Sequence, residues 1–556
     1  MLNSHVILSA SLCAVLAAGV LGQAAPFVWT GTQSGERYGT TVAWIGDIDG
    51  DFYDELAIGA PLHFSANGLT GKVEIRSINN GVLFTLFGEG FGDQFGAAID
   101  SVGDLDGDEI PDFVIGAWGN SQGAFQGGKA YVISGANGST IHEWTGAAFQ
   151  GQFGFSVASV RDTNNDGVND VLIGAPGEQL NRGAAYLYDG ATGALRFPYT
   201  GQAAGDRFGH AVAGAGRINT DQKDDFVICA PNASVGGVPD SGRVWVKNGF
   251  PGSTLAILDG PMTGGLFGFS IAGPGDLGGD AQDDLVVGAP ADSTLTVANT
   301  GRACVLPSSI WTTPIIQWWG TAPGQSHGRT VSAIGDYDGD GTPDIGVGAP
   351  LASGPLGGAQ GALTIYSGLS LAPVLTIAGE SFGEEFGTSL AGGDVNYDGL
   401  ADIAVGAPRH ATPVGMNVGR VAVYLAPGWG QYGVGEGTLN TVELDGGGSV
   451  APGSITAVWA SNAPPGSFGV LTYAIAPGNL LVTHPAGTLA LHLDIPSMLA
   501  QPLFPIVYNA IGVFGIGITT NPNGLFANVS VYTQVAAFGV SGTPRFSNGL
   551  AITFGG

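Results

Sequence analysis

The strongest constraint on this chain is a segment that recurs seven times at a spacing near 58 residues. In the first copy Tyr38-Gly39 precedes an apolar stretch. Asp47-Ile48-Asp49-Gly50-Asp51 follows, and then Glu55-Leu56-Ala57-Ile58-Gly59-Ala60-Pro61. The acidic stretch begins again at Asp104, Asp162, Arg217, Asp276, Asp336 and Asp394, in steps of 57, 58, 55, 59, 60 and 58 residues. Each copy holds four short apolar runs, as at residues 97–102, 113–117, 130–134 and 141–144. Short runs punctuated by turn residues form strands, and four strands repeated seven times predict an all-β, seven-bladed β-propeller. A solenoid is the competing architecture, but its repeats are usually shorter and this chain shows no polar caps.

The fourth-strand pattern appears early, at Phe27-Val28-Trp29-Thr30. It is missing after the seventh copy, where the run from Val421 meets Pro427-Gly428-Trp429-Gly430. The N-terminal strand is therefore expected to complete the last blade and close the ring, leaving no free edge there. Of 556 residues 97 are glycine, as many tight turns require, and only 11% are charged, against about 25% in an average protein. Those charges sum to −29, which argues against a nucleic-acid binder. A hydrophobic content of 44% argues against disorder.

Tyr38-Gly39 with Gly59-Ala60-Pro61, Phe95-Gly96 with Gly116-Ala117, and Phe386-Gly387 with Gly406-Ala407-Pro408 resemble FG-GAP repeats. The resemblance spans roughly residues 26–430. It implies the seven-bladed propeller found at the head of integrin α subunits and in secreted bacterial proteins, with protein or glycan partners. The departures are His327 for the aromatic residue, Trp118 for the proline and Cys229 for the glycine of Gly-Ala-Pro.

Between the first two strands of each copy lies a nine-residue loop with oxygen-bearing residues at positions 1, 3, 5 and 9. Calcium takes six to eight oxygens in a flexible shell, and alternate positions of a tight loop turn side chains to one side. Five loops keep all four. They are Asp47, Asp49, Asp51 and Glu55; Asp104, Asp106, Asp108 and Asp112; and Asp162, Asn164, Asp166 and Asp170. The remaining two are Asp336, Asp338, Asp340 and Asp344; and Asp394, Asn396, Asp398 and Asp402. The resemblance also assigns Ca²⁺ to matching loops, so about five sites are expected. The fifth repeat keeps Asp276, Asp280 and Asp284 with Gly278 at position 3, a weak sixth site. The fourth puts Arg217 at position 1, where a guanidinium would repel calcium and could pair with Asp221 and Asp225, so no ion is expected there.

Residues 1–24 read as a signal peptide, which places the protein outside the cell, in the periplasm or on the cell surface, with no membrane span in the mature chain. Residues 25–430 form the propeller, 431–437 a glycine-rich linker, and 438–556 a β-sandwich-like domain. That last part resembles a small C-terminal module of secreted planctomycete proteins. Cys229 and Cys304 lie in apolar runs and read as buried free thiols. No catalytic constellation is evident, and the expected role is calcium-supported protein or glycan binding rather than catalysis. A polysaccharide lyase or a purely structural surface protein are the alternatives. His63, Phe64, Trp118, Phe125, Arg182, Arg409 and His410 are the candidate ligand contacts, since they sit in the variable loops between second and third strands.

Overall fold

Seven four-stranded antiparallel sheets succeed one another along the chain. Blade 1 uses Thr41–Trp44, Leu56–Ala60, Lys72–Ser77 and Gly81–Phe87, and blade 2 uses Ala98–Gly103, Asp112–Ala117, Lys129–Ile133 and Thr140–Thr145. Blades 3 to 6 repeat this order. Blade 7 takes Ser389–Gly393, Asp402–Ala407 and Arg420–Tyr424 from the C-terminal side, and its outer strand is Phe27–Thr30. Phe27 lies opposite Val423 and Thr30 opposite Arg420 in an antiparallel register. The ring closes through the N-terminal strand, as the sequence pattern requires. The computed structural model describes residues 26–426, apart from 222, 295, 309–310, 312–313 and 355–357, and the backbone of strand segments between residues 454 and 554.

Burial follows from the stacking of blades. The second strand of each blade is covered on both faces, and Asp112–Ala117 is buried at every position. Such strands read as unbroken apolar runs because both side-chain directions meet protein. The outer strand Thr140–Thr145 is exposed or half-buried throughout. The core consists of seven clusters set between neighbouring sheets. One joins Val102, Val114 and Val132 of blade 2 to Phe153, Val157 and Val171 of blade 3. Each fully buried side chain of this kind contributes about 1.5–3 kcal/mol.

The aromatic-glycine pair is the joint between blades. Its first residue is buried in all seven repeats, from Tyr38 to Phe386, with His327 in the place of Tyr or Phe in the sixth. It also forms a parallel bridge with a glycine just before the third strand of the preceding blade, as in Gly71 with Phe95 and Gly128 with Phe153. Gly419 with Tyr38 makes the same bridge across the closure. The glycine that follows the aromatic residue has a left-handed backbone, φ +84° at Gly96, and its carbonyl lies against the glycine of Gly-Ala-Pro in the preceding blade. A Cβ on Gly116 would overlap the Gly154 carbonyl, and one on Gly59 would overlap that of Gly96.

The three sequence departures fit this joint. Buried His327 sits with Nε2 3.3 Å from the Tyr366 hydroxyl, and burial pulls its pKa down to about 4, so it is neutral. Cys229 stands where other blades have glycine, and its Cβ faces Gly268. Trp118 packs against Phe155 with ring centres 6.1 Å apart. Cys229 and Cys304 are both buried and free.

Beyond the propeller, Ser454–Ile455, Leu471–Ala474, Gly478–His484 and Gly487–Leu493 pair into one sheet. Phe504–Tyr508, Gly512–Ile518, Val529–Phe538, Pro544–Phe546 and Leu550–Phe554 pair into another. The expected signal peptide, the linker and the sandwich packing of residues 438–556 lie outside the described residues. Among the described residues no helix is long and apolar enough to cross a membrane.

The joint can be tested directly. Gly116→Ala should destabilise the propeller by about 1–3 kcal/mol through overpacking against fixed backbone. Gly92→Ala faces open space and bears only the strain of its positive φ, about 1 kcal/mol. Midpoints of denaturant unfolding should rank wild type, Gly92→Ala and Gly116→Ala in that order.

Candidate metal loops and the opposite face

An antiparallel four-strand meander puts the 1–2 and 3–4 loops at one end of each blade and the 2–3 and 4–1 loops at the other. All acidic loops therefore gather at one end of the propeller. Position 9 opens the second strand and is fully buried in every blade: Glu55, Asp112, Asp170, Asp225, Asp284, Asp344 and Asp402. In every blade but the first its carboxylate ties the loop to the neighbouring hairpin. In blade 2 one Asp112 oxygen accepts the Leu105 N–H at 2.8 Å and the other the Gly135 N–H at 3.1 Å. Asp344 does the same with Tyr337 at 2.9 Å and Gly368 at 2.8 Å. Position 1 closes the turn, with Asp104 accepting the Gly107 and Glu109 N–H groups at 2.7 and 2.8 Å. Part of the acidic pattern thus serves the backbone, a role that the spacing alone does not separate from metal binding.

Three loops bring carboxylate oxygens together within 4.8 Å of one another. The groups are Asp47, Asp49 and Glu55; Asp104, Asp106 and Asp108; and Asp336, Asp338 and Asp344. Burial, with the neighbouring loop carboxylates adding, pushes Glu55 up to about 8, Asp344 to about 7, and Asp112 and Asp338 to about 6. In blade 1 the buried Glu55 Oε1 has no hydrogen-bond partner, and in blade 7 neither has Asp398 Oδ2. Hard oxygen donors with mutual repulsion and orphaned buried oxygens fit a hard divalent cation. Asn80 of the adjacent hairpin steadies Asp49, its Nδ2 donating at 2.8 Å, and Ser367 steadies Asp340 at 3.1 Å. The repeat pattern gives no sign of these supports.

Among the described residues the other four loops form no such group. In blade 5 Gly278 leaves a gap between Asp276, Asp280 and Asp284. In blade 4 the Arg217 side chain is exposed and makes no ion pair among the described residues, so the pairing with Asp221 and Asp225 is not formed. Its backbone N–H donates instead to Asp283 at 2.6 Å, and Asn219 reaches Asp225 at 2.9 Å. In blade 3 Asp170 is ion-paired with Arg196 at 2.5 Å. Blade 7 keeps Asp394, Asn396, Asp398 and Asp402, with burial pushing Asp402 up to about 8.

The opposite end carries the candidate ligand contacts, and the structure divides them. His63 is buried with Nδ1 2.5 Å from fully buried Glu36, and half-buried His410 lies 2.6 Å from fully buried Glu384, so both rings bond to internal carboxylates. Arg409 pairs with Glu385 at 3.0 Å, and Arg182 donates to Gln179 at 3.0 Å. Trp118 is half-buried against Phe155. Phe64 and Phe125 are exposed, at 61% and 55%. Phe125 lies beside exposed Phe149, ring centres 5.7 Å apart. Phe91, Phe149 and Phe382 occupy one repeat position, four residues before the aromatic-glycine pair, and all are exposed. Aligning the repeats on that pair could have found them.

The inner strands surround a central cavity of about 720 Å³ lined by Val42, Asp100, Ser159, Arg161 and Asp224 among others. Asp100 accepts the Ser159 N–H of the next blade at 2.8 Å, and burial pushes its carboxyl up to about 6. A raised folded pKa means the unfolded chain gives up this proton first. Below the unfolded value, near 3.8, Asp100 costs nothing; as pH rises to about 6 the folded state loses on the order of 3 kcal/mol. Wild type should therefore lose stability relative to Asp100→Asn between pH 4 and 6, with no further divergence above, read from melting temperatures across that range.

Comparison with known proteins agrees with this architecture. The FG-GAP repeat model matches residues 38–73, 153–188, 327–366 and 386–424. Integrin alpha-5 of Xenopus laevis is 32% identical over 234 residues, which cover 39% of this chain and 21% of that protein. Integrin alpha-IIb of Mus musculus is 31% identical over 278 residues, 44% of this chain and 26% of that protein. The chain thus spans about a fifth to a quarter of the length of these relatives. The four matched FG-GAP segments fall within the closed ring of seven four-stranded blades, and integrin α subunits are proteins that this part of the chain is similar to.

Proposed function

We propose that this is a secreted or cell-surface propeller that binds an extracellular protein or glycan, without catalysis, and is stabilised by calcium. The observation that carries this reading is the opposition of its two ends. Clustered carboxylates with orphaned oxygens sit at one end, and exposed phenylalanines on variable loops sit at the other. Calcium is assigned to blades 1, 2 and 6, with blade 7 a fourth site and blade 5 a weaker one. Its role is structural: neutralising carboxylates that burial and mutual repulsion keep from ionising together.

The signal peptide at residues 1–24 and the domain division at 430–438 belong to the same proposal. The similarity to integrin α subunits supports a binding role for the propeller face. Surface aromatic residues on rigid loops are the usual anchors of such contacts.

Two measurements test it. Chelation should lower the melting temperature, each site contributing about 2.7 kcal/mol when calcium is a hundredfold above its Kd. An unchanged midpoint would remove the structural role of calcium. On an array of immobilised extracellular proteins and polysaccharides, Phe125→Ala/Phe149→Ala should weaken any wild-type signal about tenfold or more at unchanged melting temperature. Release of unsaturated, ultraviolet-absorbing sugar from the polysaccharides would favour the lyase reading instead.

A further inference from the structure

We infer that Arg196 is a resident counter-ion that takes the place of calcium in blade 3, leaving that loop metal-independent although it keeps all four oxygen-bearing positions. The inference rests on the proposal that the matching loops of blades 1, 2 and 6 bind calcium. It reverses the expectation for Asp162, Asn164, Asp166 and Asp170.

The argument begins with a bulge. In the pairing of third and fourth strands, one residue of the fourth strand is skipped at the same place in five blades. The skipped residues are Leu83, Ile141, Leu255 and Val374 in blades 1, 2, 4 and 6, and Arg196 in blade 3. A bulge leaves a residue outside the ladder and re-aims its side chain. Leu83, Ile141 and Val374 pack against the core between blades. Only blade 3 places a cation there.

A second position changes with it. Position 2 of the acidic loop is apolar or aromatic in six blades: Ile48, Leu105, Ile218, Leu277, Tyr337 and Val395. In blade 3 it is Thr163, which is fully buried. The two exceptions meet. Arg196 Nη1 lies 2.5 Å from Asp170 Oδ2, and it also contacts the Thr163 hydroxyl, which itself bonds to that same oxygen. The Asp170 side chain is fully buried and that of Arg196 is 13% exposed. The other Asp170 oxygen accepts the Gly190 N–H at 3.3 Å, as its counterparts do in other blades. Both oxygens are therefore engaged, one of them by a permanent positive charge.

An arginine does not lose its proton, so Asp170 has its neutralising charge at every pH at which the protein folds. A divalent ion at the loop would have to displace the guanidinium from Asp170 or sit beside it. Asn164 also turns its amide to two carboxylates of the site, donating to Asp166 at 2.8 Å and to Asp189 at 2.7 Å. Amide contacts of this kind also occur in blade 1, where Asn80 donates to Asp49, so the guanidinium on Asp170 is what sets blade 3 apart.

Native mass spectrometry of the full chain in excess Ca²⁺ decides the matter by counting ions. Asp104→Ala, in the blade 2 loop, should remove one ion from the wild-type number. Asp162→Ala should leave the number unchanged, and Arg196→Leu, which installs the residue type of the other blades, should add one. In the double variant Arg196→Leu/Asp162→Ala the added ion should be lost again, while Arg196→Lys should gain none. If Asp104→Ala removes an ion and Asp162→Ala does too, the inference about Arg196 is overturned and the calcium reading stands. If no variant and not even wild type binds an ion, the calcium reading itself fails. Should Arg196→Leu not fold, the Asp162→Ala count alone decides.

Discussion

The ring depends on one contact repeated at every joint: backbone against backbone where an aromatic-glycine pair meets the preceding blade. The aromatic residue enters the inter-blade core, and its main chain pairs with a left-handed glycine before the third strand, Gly71 with Phe95 and Gly419 with Tyr38. The next glycine then presses its carbonyl onto the glycine of Gly-Ala-Pro. Hydroxyls on the inner strands finish the joint, Thr41 donating to Gly96 O at 2.7 Å and Ser389 to Gly39 O at 2.9 Å across the closure. No side chain larger than hydrogen fits most of these positions. A large part of the glycine content is thereby a packing requirement between blades, beyond the turns that glycine ordinarily serves.

The same economy governs the acids. Position 9 carries a buried carboxylate in every blade, including blade 4, where position 1 is arginine. In the six blades where it is aspartate it joins the loop to the hairpin behind it; in blade 1 Glu55 bonds only within its loop. Metal binding is a further use of a group that the fold already needs. That separates the acidic residues into a shared backbone role and a blade-specific ionic one. The specific part is set by neighbours: the orphaned oxygen of Glu55, the guanidinium on Asp170, the missing ligand at Gly278.

The two faces of the propeller differ for a related reason. At the acidic end most of the loop carboxylates are tied into hydrogen bonds of the loop or its adjacent hairpin. At the opposite end His63 and His410 are drawn inward by Glu36 and Glu384, while Phe64, Phe91, Phe125 and Phe149 remain exposed. Histidine in a variable loop looks like a ligand contact in one dimension. In three, a buried carboxylate that already faces Lys72 or Arg420 takes the imidazole as a further hydrogen-bond partner.

The sequence by itself determined the blade number, the four strands of each blade and the closure by Phe27–Thr30, because each is a matter of period and order along the chain. It also placed the acidic loops and the buried thiols. Only the tertiary structure decided which loops gather three carboxylates, that Arg196 reaches Asp170 from 26 residues away, and that two candidate histidines are internal. Those outcomes depend on which side chains from different strands arrive at one point. Period fixes where strands lie, while a single bulge and the depth of burial fix what each side chain can touch.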